Sequence, residues 1–337
     1  MSRRAESAVA SSPTRCAAHT RLYRDGRLVE EGFDVQRVSD HLGDAGSVVW
    51  LDLLQPDEHD MEVLSEELGL HELAIEDALH AHQRPKLDRY PDHLFLAAYA
   101  VRRDDDEVVH MEVAAFITER ALVTVRKDPR VELGPVLDRW DALADLAASG
   151  VAFLVHGLLD VLVDGYLAVA QDLDDCTEDL EDDLFATDAA AAELQRRTFA
   201  VRSSVTQLRR VVLPMREVVA TVHRRDLGLV DDRMEPYLRD VDDHVVRVLD
   251  SVETMREQLA TALDTLLAMQ GQRLNETVIR LTAWAAILAV TTAVTGYFGQ
   301  NIPYPGIERE SGFWASTVLL VVLVGGLYAY FKRKGWL

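Results

Sequence analysis

Several groups that mark common classes of protein are scarce or missing in this sequence of 337 residues. Its two cysteines, Cys16 and Cys176, lie far apart and form no C-x-x-C pair, so we expect reduced thiols rather than a disulfide framework or a zinc cluster. There is no P-loop lysine motif, no G-x-S-x-G and no H-E-x-x-H, and we therefore predict no enzyme. Residues 1–20 are basic, small and polar without an apolar core, which predicts a disordered tail and no signal peptide.

Basic residues are also in short supply. The chain has 35 Lys and Arg against 57 Asp and Glu, a formal net charge of −22. This balance argues against nucleic acid or anionic lipid as a partner of the soluble part and favours divalent cations, which would relieve repulsion between assembled copies. The acids are densest in residues 171–185, where a metal-binding box and a solvated helix face are both possible, and we favour the solvated face.

Charge is absent altogether from two apolar runs, residues 281–298 and 313–331. Each is close to the roughly 20 residues that cross a bilayer as a helix. Pro303, Pro305 and Gly306 interrupt the connection, so the runs form one transmembrane hairpin. Basic residues flank the two outer ends, and the positive-inside rule then predicts that both termini are cytoplasmic and the loop is outside. We expect a multi-pass protein of the plasma (inner) membrane.

Proline is missing between Pro236 and Pro303, which allows one helix from the cytosol to the outer face. Its length would be on the order of 100 Å at about 1.5 Å per residue. Apolar residues recur along its first half every three or four positions: Val245, Val248, Val252, Met255, Leu259, Ala262, Leu266 and Met269. Such a stripe needs a partner, and packing on the chain's own helices and self-association both remain open.

The rest of the chain predicts a mixed α/β part followed by helices. β-like runs occur at residues 47–53, 94–101, 113–118 and 122–125, the last two as a hairpin. Asp57 is a candidate N-cap for one helix, and a second helix is expected to stop near Pro85. Beyond residue 133 an acidic helix and an arginine-rich helix suggest an antiparallel pair.

The predicted division of the chain has seven parts. They are a tail (1–20), a cytosolic α/β domain (21–132), a helical hairpin (133–235), a stalk and pore helix (236–298, in the membrane from about 281), an extracytoplasmic loop (299–312), a second transmembrane helix (313–331) and a basic cytosolic end (332–337).

Conduction through two-span subunits requires several copies around an axis, because two helices cannot enclose water. The first span carries threonines and is followed by Gly299, Gln300 and Asn301. A ring of asparagine amides could recognise a hydrated Mg²⁺ without stripping its waters. The spans contain no titratable residue for a proton relay, and a dication gains about 4.6 kcal/mol on crossing ~100 mV inward. A membrane-anchored coiled-coil scaffold without conduction is the alternative from another class.

The run Gly296-Tyr297-Phe298-Gly299-Gln300-Asn301 resembles the G-x-N motif of the CorA magnesium and cobalt transporter family. Other stretches support the likeness over nearly the whole chain: Glu76-Asp77, His82 to Lys86, Leu213 to Glu217, Tyr237 to Val241, Asp243-His244 and Lys332 to Leu337.

The resemblance implies a funnel-shaped homopentamer, with an α+β cytosolic domain, a long-helix bundle and two C-terminal transmembrane helices. It implies influx of Mg²⁺, Co²⁺ and Ni²⁺ driven by the membrane potential, with Mg²⁺ also the regulatory ion and no organic cofactor. Gly299, Gln300 and Asn301 would form the selectivity filter, and Asp77 and Asp240 an intersubunit regulatory cation site that holds the pore closed. The pore-lining residues would be Asn275, Val278, Leu281, Ala289 and Thr292.

Two departures from the family pattern bear on the choice of ion. Gln300 replaces the usual Met, and an apolar run, Ile302 to Gly306, replaces the usual acidic continuation of the loop. A zinc-transporting branch of the same superfamily has a related architecture and is the alternative within this class.

Overall fold

The computed structural model describes residues 16–44, 46–80, 83–104, 107–185, 191–224, 227–300 and 309–337. Two units emerge, Met1–Ala260 and Thr261–Leu337, and the longest helix contributes residues to both. The described helices are α1 Val38–Leu42, α2 Glu58–Leu68, α3 Glu72–Leu79, α4 Gly134–Ala142, α5 Val151–Phe185, α6 Ala191–Val222, α7 Glu235–Phe298 and α8 Glu310–Arg333.

A mixed seven-stranded sheet is the centre of the first unit. The strands are β1 Ala17–Arg24, β2 Arg27–Glu31, β3 Ser47–Leu54, β4 Lys86–Arg89, β5 Leu94–Asp104, β6 Glu107–Ile117 and β7 Ala121–Arg126. Their order across the sheet is β2-β1-β3-β7-β6-β5-β4, with β3 and β7 parallel and every other pair antiparallel. The four predicted β runs are confirmed as β3, β5, β6 and β7, and the last two form the expected hairpin.

Three strands, β1, β2 and β4, were not predicted from the sequence, and β2 and β4 are the edge strands of the sheet. β2 and β4, with the sequences RLVEE and KLDR, are short and rich in charge; β2 is largely exposed and β4 is mostly half-buried. Edge strands often carry charge because it discourages pairing with other chains, and this removes the apolar alternation that a sequence pattern detects. β1 is likewise interrupted by polar residues, although its second half is buried.

The caps of α2 and α3 show how local chemistry sets the helix ends. Asp57 accepts a hydrogen bond from the Asp60 backbone N at 2.9 Å, and the Asp60 carboxylate accepts one from the Asp57 N at 3.2 Å, which confirms the predicted cap as a full capping box. α3 ends at Leu79, earlier than the expected stop near Pro85. His80 is already extended, and Lys127 donates a hydrogen bond to its carbonyl oxygen.

One face of the sheet packs against α1, α2 and α3. Alternate residues of the central strands, such as Leu51, Phe116 and Val123, join Met61 and Leu64 of α2 in a fully buried cluster. The strand period of two places the intervening residues on the opposite face. That second face is covered by α4 and α5: Trp140 of α4 meets Trp50 edge to face at 4.9 Å.

The second face also contains a buried polar network. The carboxylate of Asp52 accepts hydrogen bonds from Thr124 Oγ1 at 2.8 Å and from Arg126 Nη2 at 2.8 Å. Arg126 Nη1 donates to the Val131 carbonyl at 2.6 Å, and Trp50 Nε1 donates to Thr124 Oγ1 at 3.1 Å. Each charged group therefore has partners, as burial of an ion pair requires.

α5, α6 and the first half of α7 form the long helices of this unit. The apolar run of α5 is long enough to cross a membrane, but 72% of it is buried inside the protein, where Tyr166 donates a hydrogen bond to the Tyr99 carbonyl of β5 at 2.6 Å. Arg197 of α6 pairs with Asp183 of α5 at 2.5 Å, and the two helices contact each other. The apolar stripe of α7 is fully buried from Val245 to Leu259, so packing within one chain covers this part of it.

The second unit contains the remainder of α7 and α8. Among the described helices, these two also have the length and hydropathy of membrane spans, and only 11% and 6% of their apolar windows are buried. They contact each other through a small cluster of Ala283, Ile287 and Phe331. The fold is thus an α+β unit with long helices and C-terminal apolar helices.

We expect Asp52→Ala to lower the free energy of unfolding by about 3–5 kcal/mol, because it leaves the Arg126 guanidinium buried without its counter-charge. Thermal or denaturant unfolding of the detergent-solubilised chain, followed by circular dichroism, measures the change. Asp128→Ala is the matched control, since it breaks the exposed pair with Arg130 and should change stability little. Equal effects of the two substitutions would contradict the importance of the buried network.

Candidate functional site

The five predicted pore-lining residues lie on α7 and share exposure to the surroundings within a single chain: Asn275, Val278, Leu281, Ala289 and Thr292. None of them carries a charge. Ala283 and Ile287, in contrast, are buried against Phe331 of α8. With about 3.6 residues per turn, the two sets lie on roughly opposite sides of the helix. The structure therefore leaves the predicted face of α7 uncovered while α8 covers the other.

The threonines of this helix are bonded within it. Thr282, Thr291, Thr292 and Thr295 each donate a hydroxyl hydrogen bond to the carbonyl four residues earlier, for example Thr292 Oγ1 to the Leu288 oxygen at 2.9 Å. This bond satisfies the single donor of the hydroxyl but leaves its oxygen able to accept. At the exposed Thr292 the side chain therefore presents an acceptor, which suits the waters of a hydrated cation.

The end of α7 explains one residue of the predicted filter. The helix ends at Phe298, and the Gly299 N donates to the Thr295 carbonyl at 2.9 Å. A Cβ at residue 299 would lie 2.9 Å from that same oxygen, which is too close for any other amino acid without a backbone shift.

Gln300 is exposed, whereas Asn301 lies outside the described residues. The sequence contains only two asparagines, and they stand at the two ends of this stretch, Asn275 and Asn301.

The two predicted regulatory acids have different surroundings within one chain. Asp77 of α3 is half-buried, and its Oδ2 accepts a hydrogen bond from Lys86 Nζ at 2.7 Å; Lys86 also pairs with Asp88 at 2.7 Å. The side chain of Asp240 on α7 is 67% exposed and lies 3.9 Å from His244 Nε2. A cation bridge between Asp77 of one subunit and Asp240 of the next remains a prediction.

Besides Asp77 and Asp240, the structure brings together a group of three possible metal ligands that was not predicted from the sequence. Asp160 and Asp164 of α5 and His244 of α7 place one ligand atom each within 4.8 Å of one another, and this is the one such group among the described residues. Two carboxylates and an imidazole suit Co²⁺, Ni²⁺ or Zn²⁺ at least as well as Mg²⁺, which prefers oxygen alone. The available signal was a pair of acids four residues apart in the apolar first half of α5.

Arg139 of α4 pairs with both carboxylates of this group. Its Nη1 lies 2.9 Å from Asp160 Oδ2 and its Nη2 lies 2.5 Å from Asp164 Oδ2. Burial raises the pKa of Asp160, the charge of Arg139 opposes that rise, and Asp164 and Asp240 reinforce it. Burial, and then the charge of Arg139, also lowers the pKa of the neighbouring His156 to about 4, which keeps that ring neutral. A metal ion at this group would have to compete with the Arg139 guanidinium for the same two carboxylates.

An α+β unit followed by two long apolar helices with little of their surface buried is typical of an integral membrane protein. Comparison with known families specifies the class further. The model of the CorA-like Mg2+ transporter protein family matches residues 45–333, and the chain belongs to this family of divalent metal transporters.

Individual relatives span most of the chain. The cobalt/magnesium transport protein CorA of Thermotoga maritima is 27% identical over 299 residues, which are 87% of this chain and 85% of that protein. The zinc transport protein ZntB of Enterobacter sp. is 26% identical over 258 residues, 75% of this chain and 77% of that protein. The complete structure of the CorA magnesium transporter from Methanocaldococcus jannaschii has the same fold, with a TM-score of 0.76 and 22% identity over 95% of this chain and 98% of that one.

We expect Arg139→Gln to lower the melting temperature of the metal-free protein and to enlarge the rise that Co²⁺ or Mg²⁺ produces. The substitution leaves Asp160 and Asp164 without their counter-charge, so a divalent cation replaces the guanidinium and stabilises the folded state by mass action. Melting curves of the full chain at increasing metal concentration measure both effects. Arg130→Gln, at an exposed ion pair elsewhere, is the control; an unchanged metal response in Arg139→Gln would contradict the competition.

Proposed function

We propose that this chain forms a homopentameric channel in the plasma (inner) membrane that admits Mg²⁺, and also Co²⁺ and Ni²⁺, into the cell. The observation that carries the proposal is the uncharged, uncovered face of α7, which lies opposite the face that α8 covers. Membership of a family of divalent metal transporters supports the reading of that face as the wall of a pore. Several copies are required, because two helices per chain cannot enclose water.

The pore would be lined, from the cytosolic side outward, by uncharged side chains of α7: Asn275, Val278, Leu281, Ala289 and Thr292. Apolar side chains in the middle of such a path let it close by excluding water, and the polar ones accept hydrogen bonds from a hydrated ion. Thr292 has an acceptor to offer even though its hydroxyl proton is engaged. The narrow point would be the filter of Gly299, Gln300 and Asn301, where neutral amide oxygens hold a hydrated dication weakly enough to release it.

The membrane potential is sufficient as the driving force. A dication entering through ~100 mV gains about 4.6 kcal/mol, and the described part of both apolar helices carries no acid or base in its core that would couple the flux to protons. Basic residues lie at the carboxyl end of α8 and before the apolar part of α7, which supports cytoplasmic termini.

Intracellular Mg²⁺ would regulate the channel by bridging Asp77 of one subunit and Asp240 of the next. Asp240 is exposed and free to take part in such a bridge, whereas Asp77 must exchange Lys86 for the metal ion. Loss of the ion would leave strongly acidic subunits facing each other, and their repulsion would open the assembly. An uninterrupted α7 would carry the change toward the membrane.

Zinc transport is the alternative function. Zinc transport proteins are among the relatives, Gln300 departs from the usual Met, and the group of Asp160, Asp164 and His244 includes an imidazole that Zn²⁺ accepts readily. A scaffold without conduction is the remaining alternative.

We expect potential-driven Mg²⁺ entry into proteoliposomes, reported by an internal dye, to be abolished by Asn301→Ala while the oligomer stays intact. The substitution removes the amide ring that would select the hydrated ion at the entrance. Gln272→Ala is the control, because it removes an exposed side-chain amide of α7 that lies outside the proposed pore face.

The same vesicles discriminate between the alternatives. Zn²⁺ flux that follows a pH gradient, with little entry of Mg²⁺, would favour the zinc transporter. No flux of either ion through the wild-type oligomer would favour the scaffold and overturn the proposed channel.

We expect Asp77→Ala and Asp240→Ala each to weaken the protection from limited proteolysis that millimolar-range Mg²⁺ gives the wild-type assembly, because each removes one carboxylate of the proposed intersubunit bridge. Asp250→Ala is the matched control, since it removes another exposed acid of α7. Full protection in both Asp77→Ala and Asp240→Ala would exclude these two positions as the regulatory site.

A further inference from the structure

A cavity of about 260 Å³ lies between the second face of the sheet and the helices α4 and α5. Its walls are mostly apolar: Ala100, Met111 and Val113 from the sheet, Val136 from α4, and Leu158 and Leu162 from α5. The cavity is open to solvent on one side, and small-molecule sites are typically concave and mostly apolar in this way. An apolar cavity of ~150 Å³ already admits benzene while staying dry.

The polar groups that border the cavity have their hydrogen-bond partners within the protein. Arg126 donates to the Asp52 carboxylate through Nε and Nη2 and to the Val131 carbonyl through Nη1. Trp50 donates to Thr124, which in turn donates to Asp52. A polar ligand would have to displace these bonds or leave its own groups unpaired, and both are unfavourable.

The rim of the cavity offers no unpaired charge for an anion either. Arg102 is paired with Asp104 at 2.7 Å, and Arg130 is paired with Asp128 at 2.6 Å. Glu132 adds a negative charge at the same rim. The chemistry of walls and rim therefore selects for a neutral ligand that gains from burial of apolar surface.

We propose that this cavity is a binding site for a small, neutral and largely hydrocarbon molecule, of the size of one or two aromatic rings. The bound molecule contacts the sheet, α4 and α5 together, and it enters past Arg102 and Arg130. The site lies within the first unit and is independent of the proposed transport, so failure of either leaves the other untouched.

Tryptophan fluorescence tests the site in the full chain in lipid nanodiscs, with bromobenzene as the probe. The chain has five tryptophans, and replacing Trp284, Trp314 and Trp336 by Phe leaves only Trp50, which lines the cavity, and Trp140, which contacts Trp50 at 4.9 Å. Quenching by the bound bromine is then expected to saturate with increasing bromobenzene. Val161→Phe and Ala100→Leu fill the cavity and should abolish the saturable part of the quenching. Val29→Phe, at an exposed position of β2, is the control that should keep it.

Two further measurements test the charge of the ligand that the cavity accepts and the position at which it binds. The anion 4-bromobenzoate should show no saturable quenching, and crystals of the unsubstituted chain soaked in bromobenzene should show bromine anomalous density between Met111 and Leu162. Quenching that never saturates would overturn the proposed site, and so would equal quenching with and without the cavity-filling substitutions. An absence of bromine density from the cavity would also overturn it. Saturable quenching by 4-bromobenzoate instead of bromobenzene would contradict the proposal that the ligand is neutral. The anomalous density decides the matter even where a filled variant fails to fold.

Discussion

The unbroken hydrogen-bond ladder of α7 is the constraint on which the rest of the architecture depends. After Pro236 in its first turn, α7 contains no proline up to Phe298, so each later backbone N–H can bond to the carbonyl four residues earlier. One helix can therefore supply buried apolar residues to the α+β unit and uncharged residues to the membrane. The ladder ends where Gly299 closes the last bond onto Thr295, directly before the G-x-N motif.

Two forces of opposite character act on the two parts of such a chain. The apolar surface of α7 and α8 must be covered by lipid or by other copies, because exposure of so much hydrocarbon to water is unfavourable. The acidic part, with a net charge of −22 for the chain, resists close assembly unless cations intervene. Arg139 meets this need locally, because its guanidinium pairs with the carboxylates of both Asp160 and Asp164.

Prediction from the sequence succeeded where a local pattern has one physical solution. The capping box at Asp57, the strands β3, β5, β6 and β7 and the apolar stripe of α7 all belong to this class. It failed where the signal was weak or the partner distant. β2 and β4 are short charged edges, and α3 ends at Leu79, where Lys127, distant in the sequence, donates a hydrogen bond to the carbonyl of the extended His80. The group of Asp160, Asp164 and His244 joins two helices that only the fold brings together. The pore residues and the acids Asp77 and Asp240 came from resemblance to the family and stay predictions.

The sequence by itself determined the membrane helices, the single long helix and the family, because runs without charge, the absence of proline and a motif at a helix end are all local properties of the chain. The tertiary structure decided which side of α7 is covered, since that depends on where Ala283 and Ile287 meet Phe331. It also decided that the apolar α5 belongs to the core, although its composition would suit a membrane. Hydropathy measures how strongly a side chain favours leaving water, but it does not distinguish the protein interior from lipid. Only the packed fold determines which of the two surrounds the side chain.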